Sequence, residues 1–481
     1  MKQQRLRFKL LALFLFALFV LLAGYGGYSV ITYGNRWFST NRNPRVRAQK
    51  QSVIAGDILD RSGITLATTN EDGDRVYQED EAARRAVVHL LGDTQGQVAN
   101  GVETFQTNYL YGFQSSLTEL IAALFTGSQR KGDTVALTVD SRLCTEIASS
   151  FATRENSQGK NGAAVVMNYK TGEVLAMISL PSFDPMNITE ETKADSGKPF
   201  WNRATQSVYA PGSTFKIITT AAALENISGI EELEIPCTGG LDIDGQAIRD
   251  YGNAIHNQLT LEKAFTVSCN NAFALIAVDV GDEQLRKTAE SFGFGDNFLF
   301  RDLVVENSSY PTGNRTTFEV ATTGFGQSTL TATPMHMCMV AAAIANEGVM
   351  MEPRLLRRVT STTGGQRLGF SSKVYRTALS KEHAAVIKGY MRQVVTSGTG
   401  TRAQVSGLTI CGKTGTAESS LAGSAINYAW FIGFIDDDEL PIAVSVIVED
   451  IDDGLGGGSV AAPIAHDIFA YVQEHPERIL Q

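Results

Sequence analysis

Three short patterns in this 481-residue chain contain residue types that could perform acyl transfer. They are a serine followed three residues later by lysine, a serine followed two residues later by asparagine, and the tripeptide Lys-Thr-Gly. A serine hydroxyl is a weak nucleophile at neutral pH and needs an adjacent base, which a desolvated lysine can supply. Each pattern occurs more than once, as at Ser128 with Lys131 and Ser213 with Lys216, Ser39 with Asn41 and Ser268 with Asn270, and Lys170 with Gly172 and Lys413 with Gly415. The surrounding sequence must therefore select one copy of each.

The Ser213 copy has a predicted helix behind it, because residues 214–224 form an apolar run after a Pro-Gly pair. Ser213 would stand at the helix N-terminus, where exposed N–H groups favour a developing anion. Lys216 would lie one turn further along the same face. We therefore predict that Ser213 is the nucleophile and Lys216 its base. The alternative is that Ser213 only caps a core helix.

The Ser268 copy lies between two predicted helices, over residues 261–267 and 271–277. A turn between helices can project both polar side chains into a cleft. Ser268 could then relay a proton from the base to a leaving amine, and Asn270 could hydrogen-bond a substrate amide. A polar helix–helix turn without catalytic function is the alternative.

The Lys-Thr-Gly copy at residues 413–415 follows an apolar stretch and precedes another predicted strand, so we expect it on a strand. Lys413 could hold a substrate carboxylate and help to keep Lys216 neutral. Gly415 permits close approach of an acyl chain laid along the strand. The alternative is a strand with one exposed lysine. The predicted substrate-binding residues are Asn270, Lys413, Thr414, Gly415 and Thr416.

Two backbone N–H groups, those of Ser213 and Thr416, could form an oxyanion hole. The remaining copies of the patterns have simpler explanations. Residues 170–172 form a predicted hairpin turn, where glycine is needed for backbone reasons. Ser128 lies in a polar loop after a helix stop, and Ser39 follows an apolar N-terminal segment. We therefore assign the chemistry to the Ser213, Ser268 and Lys413 copies.

The N-terminus is basic and then strongly apolar. Four cationic residues precede an uncharged run over residues 10–33, which is long enough to span ~30 Å of hydrocarbon. We predict a cytoplasmic tail over residues 1–9, a single transmembrane anchor over residues 10–33, and an extracytoplasmic body. A cleavable signal peptide is the alternative, although the run is long for one and no small-x-small cleavage site is evident.

The body divides into two predicted domains. Residues 34–130 read as a small β-rich membrane-proximal domain, and residues 131–481 as a large α/β domain. The larger one is predicted to contain a helix over residues 141–151, a hairpin around residues 169–172, a strand over residues 442–448 and a final helix over residues 463–472.

Composition excludes several classes. The net charge is −10 and no basic stripe is evident, so we expect no nucleic-acid partner. The five cysteines are widely spaced without a Cys-x-x-Cys pair, so neither a disulfide scaffold nor a zinc knuckle is predicted. We expect His256 to be structural.

At the three assigned motifs the sequence resembles the class B penicillin-binding proteins, the monofunctional peptidoglycan D,D-transpeptidases. The likeness extends to residues 43–45, 56–61, 163–185, 204–216, 326–334, 412–418 and 430–433. It departs in its short N-terminal region, in having no evident C-terminal accessory domain, and in an asparagine after His256 where a glycine is expected.

The resemblance implies a serine β-lactamase/transpeptidase-like fold, an α/β (α+β) domain with an antiparallel sheet flanked by helices. The membrane-proximal domain would be of the pedestal or dimerisation type. Ser213 would attack a stem peptide ending in D-Ala-D-Ala and pass the acyl group to an amine, and β-lactams would acylate it. No metal or organic cofactor is implied. Partners would be a polytopic membrane glycosyltransferase and division or elongation proteins at the bacterial cytoplasmic membrane.

Other readings of the same motifs remain. A D,D-carboxypeptidase would use water as the acceptor. A serine β-lactamase would need an acidic residue to activate water, and none is evident. A non-enzymatic β-lactam sensor in the membrane would need a cytoplasmic signalling part, for which nine residues are too few.

Overall fold

The computed structural model describes residues 2–38, 52–115, 129–421 and 424–480, together with residues 48, 50, 119, 121 and 125. Its first element is a long helix, α1 (Lys2–Phe38). The segment Gln4–Ser29 of this helix is apolar, is not buried against the rest of the protein, and is long enough to cross a membrane. A signal sequence has the same properties. The predicted anchor over residues 10–33 lies within α1, and the apolar segment begins nearer the N-terminus than expected.

Short elements follow α1 in the N-terminal part of the body. They are β1 (Val53–Ile54), β2 (Ile58–Leu59), β3 (Thr65–Thr69), β4 (Arg75–Tyr77), α2 (Glu81–Ala86), α3 (Val88–Leu91), α4 (Val102–Phe105), α5 (Thr107–Leu110), β5 (Arg130–Lys131) and β6 (Thr134–Leu137).

The next part of the chain supplies two long strands and the first helices around the site. Its elements are α6 (Ser141–Thr153), β7 (Gly162–Asn168), β8 (Val174–Leu180), α7 (Glu190–Ala194), α8 (Arg203–Gln206), a 3-10 turn (Gly212–Phe215), α9 (Lys216–Asn226), β9 (Ile235–Cys237), β10 (Gly240–Ile243), β11 (Gln246–Arg249), a second 3-10 turn (Tyr251–Asn253) and β12 (Asn257–Leu259).

The C-terminal part alternates helices with strands. Its elements are α10 (Leu261–Thr266), α11 (Asn270–Val280), α12 (Asp282–Ser291), α13 (Thr317–Thr323), α14 (Pro334–Ala345), β13 (Val349–Met351), β14 (Leu356–Thr360), β15 (Gln366–Gly369), β16 (Val374–Thr377), α15 (Lys381–Ser397), a third 3-10 turn (Thr401–Ala403), β17 (Ile410–Leu421), β18 (Ser424–Ile435), β19 (Ile442–Val448), α16 (Ala461–Glu474) and α17 (Pro476–Ile479). The predicted helices and strands of this domain are confirmed, with boundary shifts of a few residues.

A five-stranded antiparallel sheet forms the centre of the larger domain, in the order β17-β18-β19-β7-β8. Every residue of β7 and β19 is buried, as expected for apolar strands covered by helices. Helix α14, also buried throughout, packs against β7, β18 and β19, while α6 and α16 pack together beside β8, β18 and β19. The expected antiparallel sheet flanked by helices is confirmed.

A second sheet joins the N-terminal part to the larger domain. Its six strands have the order β15-β14-β6-β2-β3-β4. Strands β2 to β4 come from the N-terminal part, including a hairpin whose turn contains Gly63 at φ 86°, whereas β14 and β15 come from beyond residue 355. The proposed boundary at residues 130 and 131 therefore lies inside a region whose sheet is built from both sides.

Candidate active site

The Ser213 segment is held tightly between two neighbouring stretches of chain. Its first turn is a 3-10 turn (Gly212–Phe215), and the α-helix begins only at Lys216, two residues later than predicted. Gly212 has φ 54°, and a Cβ placed there would lie 2.6 Å from Thr416 O. Its N–H donates to Gly326 O at 2.9 Å. Only glycine fits this close approach, and the contacts fix Ser213 beside strand β17.

Lys216 is fully buried, and its amine faces the second motif. Its Nζ donates to Ser268 O at 2.6 Å, to Asn270 Oδ1 at 2.8 Å and to Ser268 Oγ at 3.1 Å. The ring of Phe273 lies 5.3 Å from the nitrogen. Burial lowers the pKa of Lys216 to about 7, although the negative charge of Asp250 opposes the shift. A sizeable fraction of this amine is therefore neutral at neutral pH.

Lys413 is buried on the other side of Ser268. Its Nζ donates to Ser268 Oγ at 2.9 Å and to Thr414 O at 3.0 Å, and the ring of Phe265 lies 5.7 Å away. Burial, and then the charge of Lys216, lowers the pKa of Lys413 well below its usual range. Ser268 Oγ therefore lies between two desolvated amines. The structure thus places Lys413 against Ser268, and its contact with a substrate carboxylate stays a prediction.

The Ser268–Asn270 motif forms the turn between α10 and α11, as predicted. Ser268 adopts φ 62°, a conformation that non-glycine residues rarely take. Both ends of the Asn270 side chain already have protein partners, since Oδ1 accepts from Lys216 and Nδ2 donates to Arg249 O at 3.1 Å. A substrate amide would have to replace or share one of these contacts.

The motifs meet at a cleft with a volume of about 770 Å³. Lys216 and Lys413 are buried behind its wall, and six of the eight predicted site residues line it: Ser213, Ser268, Asn270, Thr414, Gly415 and Thr416. The Thr414 hydroxyl lies 2.5 Å from that of Thr399. The Thr416 hydroxyl faces Gly456, in a glycine-rich loop that also borders the cleft. The structure thus brings the three assigned motifs together.

The rejected copies lie elsewhere. Lys170 is on the hairpin turn between β7 and β8, and its half-exposed side chain forms an ion pair with Asp438 at 2.5 Å. Lys131 forms an exposed ion pair with Asp57 at 2.8 Å. Ser39 and Ser128 lie outside the described residues.

One group of residues beside the site was not predicted. Cys237, Asp250, His256 and Cys269 bring their ligand-type atoms within 4.8 Å of one another. Asp250 also accepts a hydrogen bond from the Asn270 N–H and another from Asn271 Nδ2 at 2.5 Å. These residues are spread over 33 positions with no familiar spacing, so only the fold reveals that they converge.

This fold and this serine–lysine cleft define an active-site serine acyltransferase, and the comparisons with known proteins identify its family. The model of the penicillin binding protein transpeptidase domain matches residues 162–470. The chain belongs to that family, and the resemblance to class B penicillin-binding proteins is confirmed.

Individual relatives agree with this assignment. The chain is 32% identical to the peptidoglycan D,D-transpeptidase PbpA of Mycobacterium tuberculosis, over 74% of this chain and 76% of that protein. It is 29% identical to PbpA of Mycolicibacterium smegmatis, over 89% and 91%. Among solved structures, the ceftriaxone acyl-enzyme of penicillin-binding protein A from M. tuberculosis superposes with a TM-score of 0.79 at 27% identity, covering 90% of this chain and 99% of that one.

Proposed function

We propose that this protein is a peptidoglycan D,D-transpeptidase that works through an acyl-enzyme on Ser213. The observation that carries the proposal is the position of Ser268 Oγ, which is hydrogen-bonded to two buried lysine amines at the wall of the Ser213 cleft. Support comes from relatives named as D,D-transpeptidases and from the β-lactam acyl-enzymes of a structural neighbour.

In the first half-reaction, neutral Lys216 takes the proton of the Ser213 hydroxyl as Ser213 Oγ attacks the carbonyl of the penultimate D-Ala. The N–H groups of Ser213 and Thr416 stabilise the oxyanion. The C–N bond to the terminal D-Ala then breaks, and the leaving amine receives the proton from Lys216 by way of Ser268 Oγ. This relay needs an amine that is neutral in the resting enzyme, which agrees with the lowered pKa of Lys216.

No hydrogen bond between Ser213 Oγ and Lys216 Nζ is found in the described part of the chain, where Lys216 instead contacts Ser268 and Asn270. Catalytic hydrogen bonds are often long before substrate binds and shorten in the complex. The proposal therefore requires Lys216 Nζ to exchange one of its three contacts for Ser213 Oγ when the cleft fills.

In the second half-reaction, an amine of a neighbouring stem peptide attacks the acyl carbon and gives a proton to Lys216. Lys216 passes this proton to Ser213 Oγ as the ester C–O bond breaks, so that Ser213 leaves as a hydroxyl. The donor peptide lies along β17, where Thr414, Gly415 and Thr416 border the cleft. Asn270 holds a substrate amide opposite them. Lys413, buried behind Ser268, holds Ser268 Oγ in place through its hydrogen bond.

The rest of the chain serves to place this site at the membrane. In this proposal α1 anchors the protein as a single pass, with residues 1–9 cytoplasmic and the body extracytoplasmic. The long apolar segment Gln4–Ser29 supports the anchor. Residues 34–130 and the shared sheet raise the transpeptidase domain above the bilayer. The glycosyltransferase that makes the glycan strands, together with division or elongation proteins, would contact this membrane-proximal part.

The test is mass spectrometry of the full chain in detergent after incubation with a penicillin. We expect one penicilloyl adduct, on Ser213, that persists for minutes to hours. The Ser213→Ala variant should give none, and Ser128→Ala, which removes the serine of the rejected pattern, should be labelled as the wild type is. Equal labelling of Ser213→Ala and the wild type would contradict the proposal, and rapid drug turnover would indicate a β-lactamase.

A second experiment separates the possible acceptors. Protein that has not been exposed to penicillin, so that Ser213 is free, is given a pentapeptide substrate with and without an amine acceptor. Formation of the cross-linked product supports the transpeptidase. Release of D-Ala with only the hydrolysed tetrapeptide would identify a D,D-carboxypeptidase. Acylation by penicillin without turnover of any peptide would favour the sensor.

A further inference from the structure

Four side chains of metal-ligand type converge on one point directly behind the Ser268–Asn270 turn. Cys237 Sγ lies 3.0 Å from Asp250 Oδ2 and 3.3 Å from His256 Nδ1. Cys269 Sγ lies 3.3 Å from Asp250 Oδ2, and His256 Nδ1 lies 3.6 Å from the same oxygen. We propose that Cys237, Asp250, His256 and Cys269 bind one zinc(II) ion.

The spacing of the four atoms suits a tetrahedral ion. Ligands at roughly 2.0–2.3 Å from a tetrahedral zinc lie about 3.3–3.8 Å from one another. Three of the four measured separations fall within that interval, and the Cys237–Asp250 separation of 3.0 Å is slightly shorter. Small movements of the side chains would therefore complete the coordination.

The chemistry of the donors favours zinc over a hard cation. Two sulfurs with an imidazole nitrogen form a soft set, whereas magnesium and calcium prefer oxygen ligands throughout. Cys237, Asp250 and Cys269 are almost completely buried, and the His256 side chain is 20% exposed. Four protein ligands in a closed site are typical of structural zinc rather than of a catalytic ion with an open position.

The segment that carries two of the ligands has few buried side chains of its own. Between residues 238 and 256 only Ile248 and Asp250 are buried. The β10–β11 hairpin in this segment is mostly exposed, with Ile248 as its one buried side chain, although the segment lines the cleft from Arg249 to His256. A small excursion without its own core needs a cross-link to be rigid. The ion would supply this cross-link by joining the end of β9, the end of β11, the start of β12 and the cap of α11.

The same ion would fix the second motif. Cys269 lies between Ser268 and Asn270 in the chain, and Asp250 accepts a hydrogen bond from the Asn270 N–H through its other carboxylate oxygen. The metal would thus act through these two ligands on the turn that presents Ser268 Oγ and Asn270 Oδ1 to Lys216. Its role is to position the turn, because none of its ligands contacts the reacting atoms.

The test measures metal in the full chain, purified in detergent without chelators and with any affinity tag removed. Elemental analysis by mass spectrometry should find about one zinc per chain in the wild type. The Cys237→Ala variant should lose it. Cys338→Ala is the matched control, because Cys338 is an equally buried thiol in α14, remote from the cluster, and it should keep the metal.

Two further readouts separate a bound ion from hydrogen-bonded thiols. Replacement of zinc by cobalt(II) should give sulfur-to-cobalt absorption in the wild type and in Cys338→Ala, but not in Cys237→Ala. A strong chelator should lower the thermal unfolding midpoint of the first two proteins and leave that of Cys237→Ala unchanged. These measurements do not depend on transpeptidase activity, so the zinc site and the proposed function can fail separately.

Three results would overturn the inference. One is a wild-type chain that holds no more zinc than Cys237→Ala even after incubation with zinc(II) and a reductant. Another is a Cys237–Cys269 disulfide in the protein as isolated, detected by peptide mapping without reduction. The third is a cobalt spectrum in which sulfur ligation persists unchanged in Cys237→Ala.

Discussion

The same tripeptide occurs twice in this molecule, and the two copies differ in every property that matters for chemistry. Lys170 stands on a hairpin turn with 44% of its side chain exposed and pairs with Asp438. Lys413 lies on the edge strand β17, fully buried, with Ser268 Oγ as its partner. Gly172 takes φ 78° because the turn requires it, whereas Gly415 has no such constraint. Burial of the lysine, rather than the tripeptide itself, thus distinguishes the copy that can take part in acyl transfer.

The serine–lysine patterns that end at Lys131 and at Lys216 give the same contrast. The side chain of Lys131 is 45% exposed and is neutralised by Asp57 at the surface. Lys216 has lost its water and has a hydroxyl, a carbonyl and an amide oxygen around its nitrogen. Burial disfavours a charged amine, and the lowered pKa of Lys216 suits it to act as a base near neutral pH. The rejected copies therefore provide matched controls for the predictions that follow.

The largest expected effect is that of Lys216→Ala. A positioned general base contributes about 10²–10⁴-fold to a rate, so we expect acylation of Ser213 by a fluorescent penicillin to slow by about 10³-fold. Lys131→Ala should acylate at the wild-type rate. Circular dichroism of both variants checks that the fold is retained. A folded Lys216→Ala protein with a rate within tenfold of the wild type would show that another group is the base.

The next effect is that of Lys413→Ala, for which we expect acylation to slow by about 10²-fold, comparable to the loss of one preorganised electrostatic contact. Removing the amine leaves Ser268 Oγ with Lys216 alone, so the hydroxyl that relays the proton loses one of its two positioning hydrogen bonds. Lys170→Ala should leave the rate unchanged, since it removes only a surface ion pair. Stopped-flow measurement of the acylation rate tests both variants. If Lys413→Ala acylated as fast as Lys170→Ala, Lys413 would have no role in acylation.

Local pattern was sufficient to predict much of this fold. The hairpin of β7 and β8 follows from two apolar runs around a turn, and strand β19 follows from a single apolar run. The order β17-β18-β19-β7-β8 does not, because it joins strands more than 200 residues apart. The sharing of β14 and β15 with the N-terminal sheet is equally non-local.

The residues of the site also divide into those that local sequence could predict and those that only the folded chain brings together. The sequence predicted that residues around Ser213, Ser268 and Lys413 meet, from their order and context. We predicted from the sequence that Lys216 would act on Ser213, whereas in the folded chain its amine faces Ser268 and Asn270. We treated His256 as structural and the cysteines as unrelated. Cys237 and Cys269 are 32 positions apart, and only the pairing of β9 with β12 and the cap of α11 brings them to Asp250.

We expect the acylation rate to follow the titration of Lys216 and to change roughly tenfold between pH 6 and pH 9. Because burial lowers the pKa of Lys216 to about 7 and the base must be neutral, the rate should rise with pH through about 7 and level off above 8. Between pH 6 and pH 9 the neutral fraction grows roughly tenfold. The Lys170→Ala variant should give the same profile. A rate that is flat from pH 6 to 9 would mean that Lys216 does not titrate in this range.

The smallest effects are expected from alanine substitutions at Gly172 and Gly415. One substitution should change mainly the stability of the protein, and the other mainly its acylation rate. A Cβ at residue 172 would lie 2.2 Å from Glu352 O on a backbone with φ 78°, whereas a Cβ at residue 415 would meet its nearest atoms, Pro211 O among them, at 3.1 Å. We therefore expect Gly172→Ala to lower the free energy of unfolding by about 1–3 kcal/mol, the larger loss of the two, without changing the acylation rate of the folded protein.

Gly415→Ala should slow acylation and cost little stability. Its closest neighbours are Pro211 O, Thr214 Cγ2 and Trp430 Cβ, which can move by a few tenths of an ångström at a small cost in stability. Those neighbours belong to the segment that fixes Ser213, so we expect acylation to slow several-fold. Denaturant titration and stopped-flow acylation of both variants check the crossing pattern. If Gly172→Ala slowed acylation and Gly415→Ala did not, the assignment of chemistry to the second copy would be wrong.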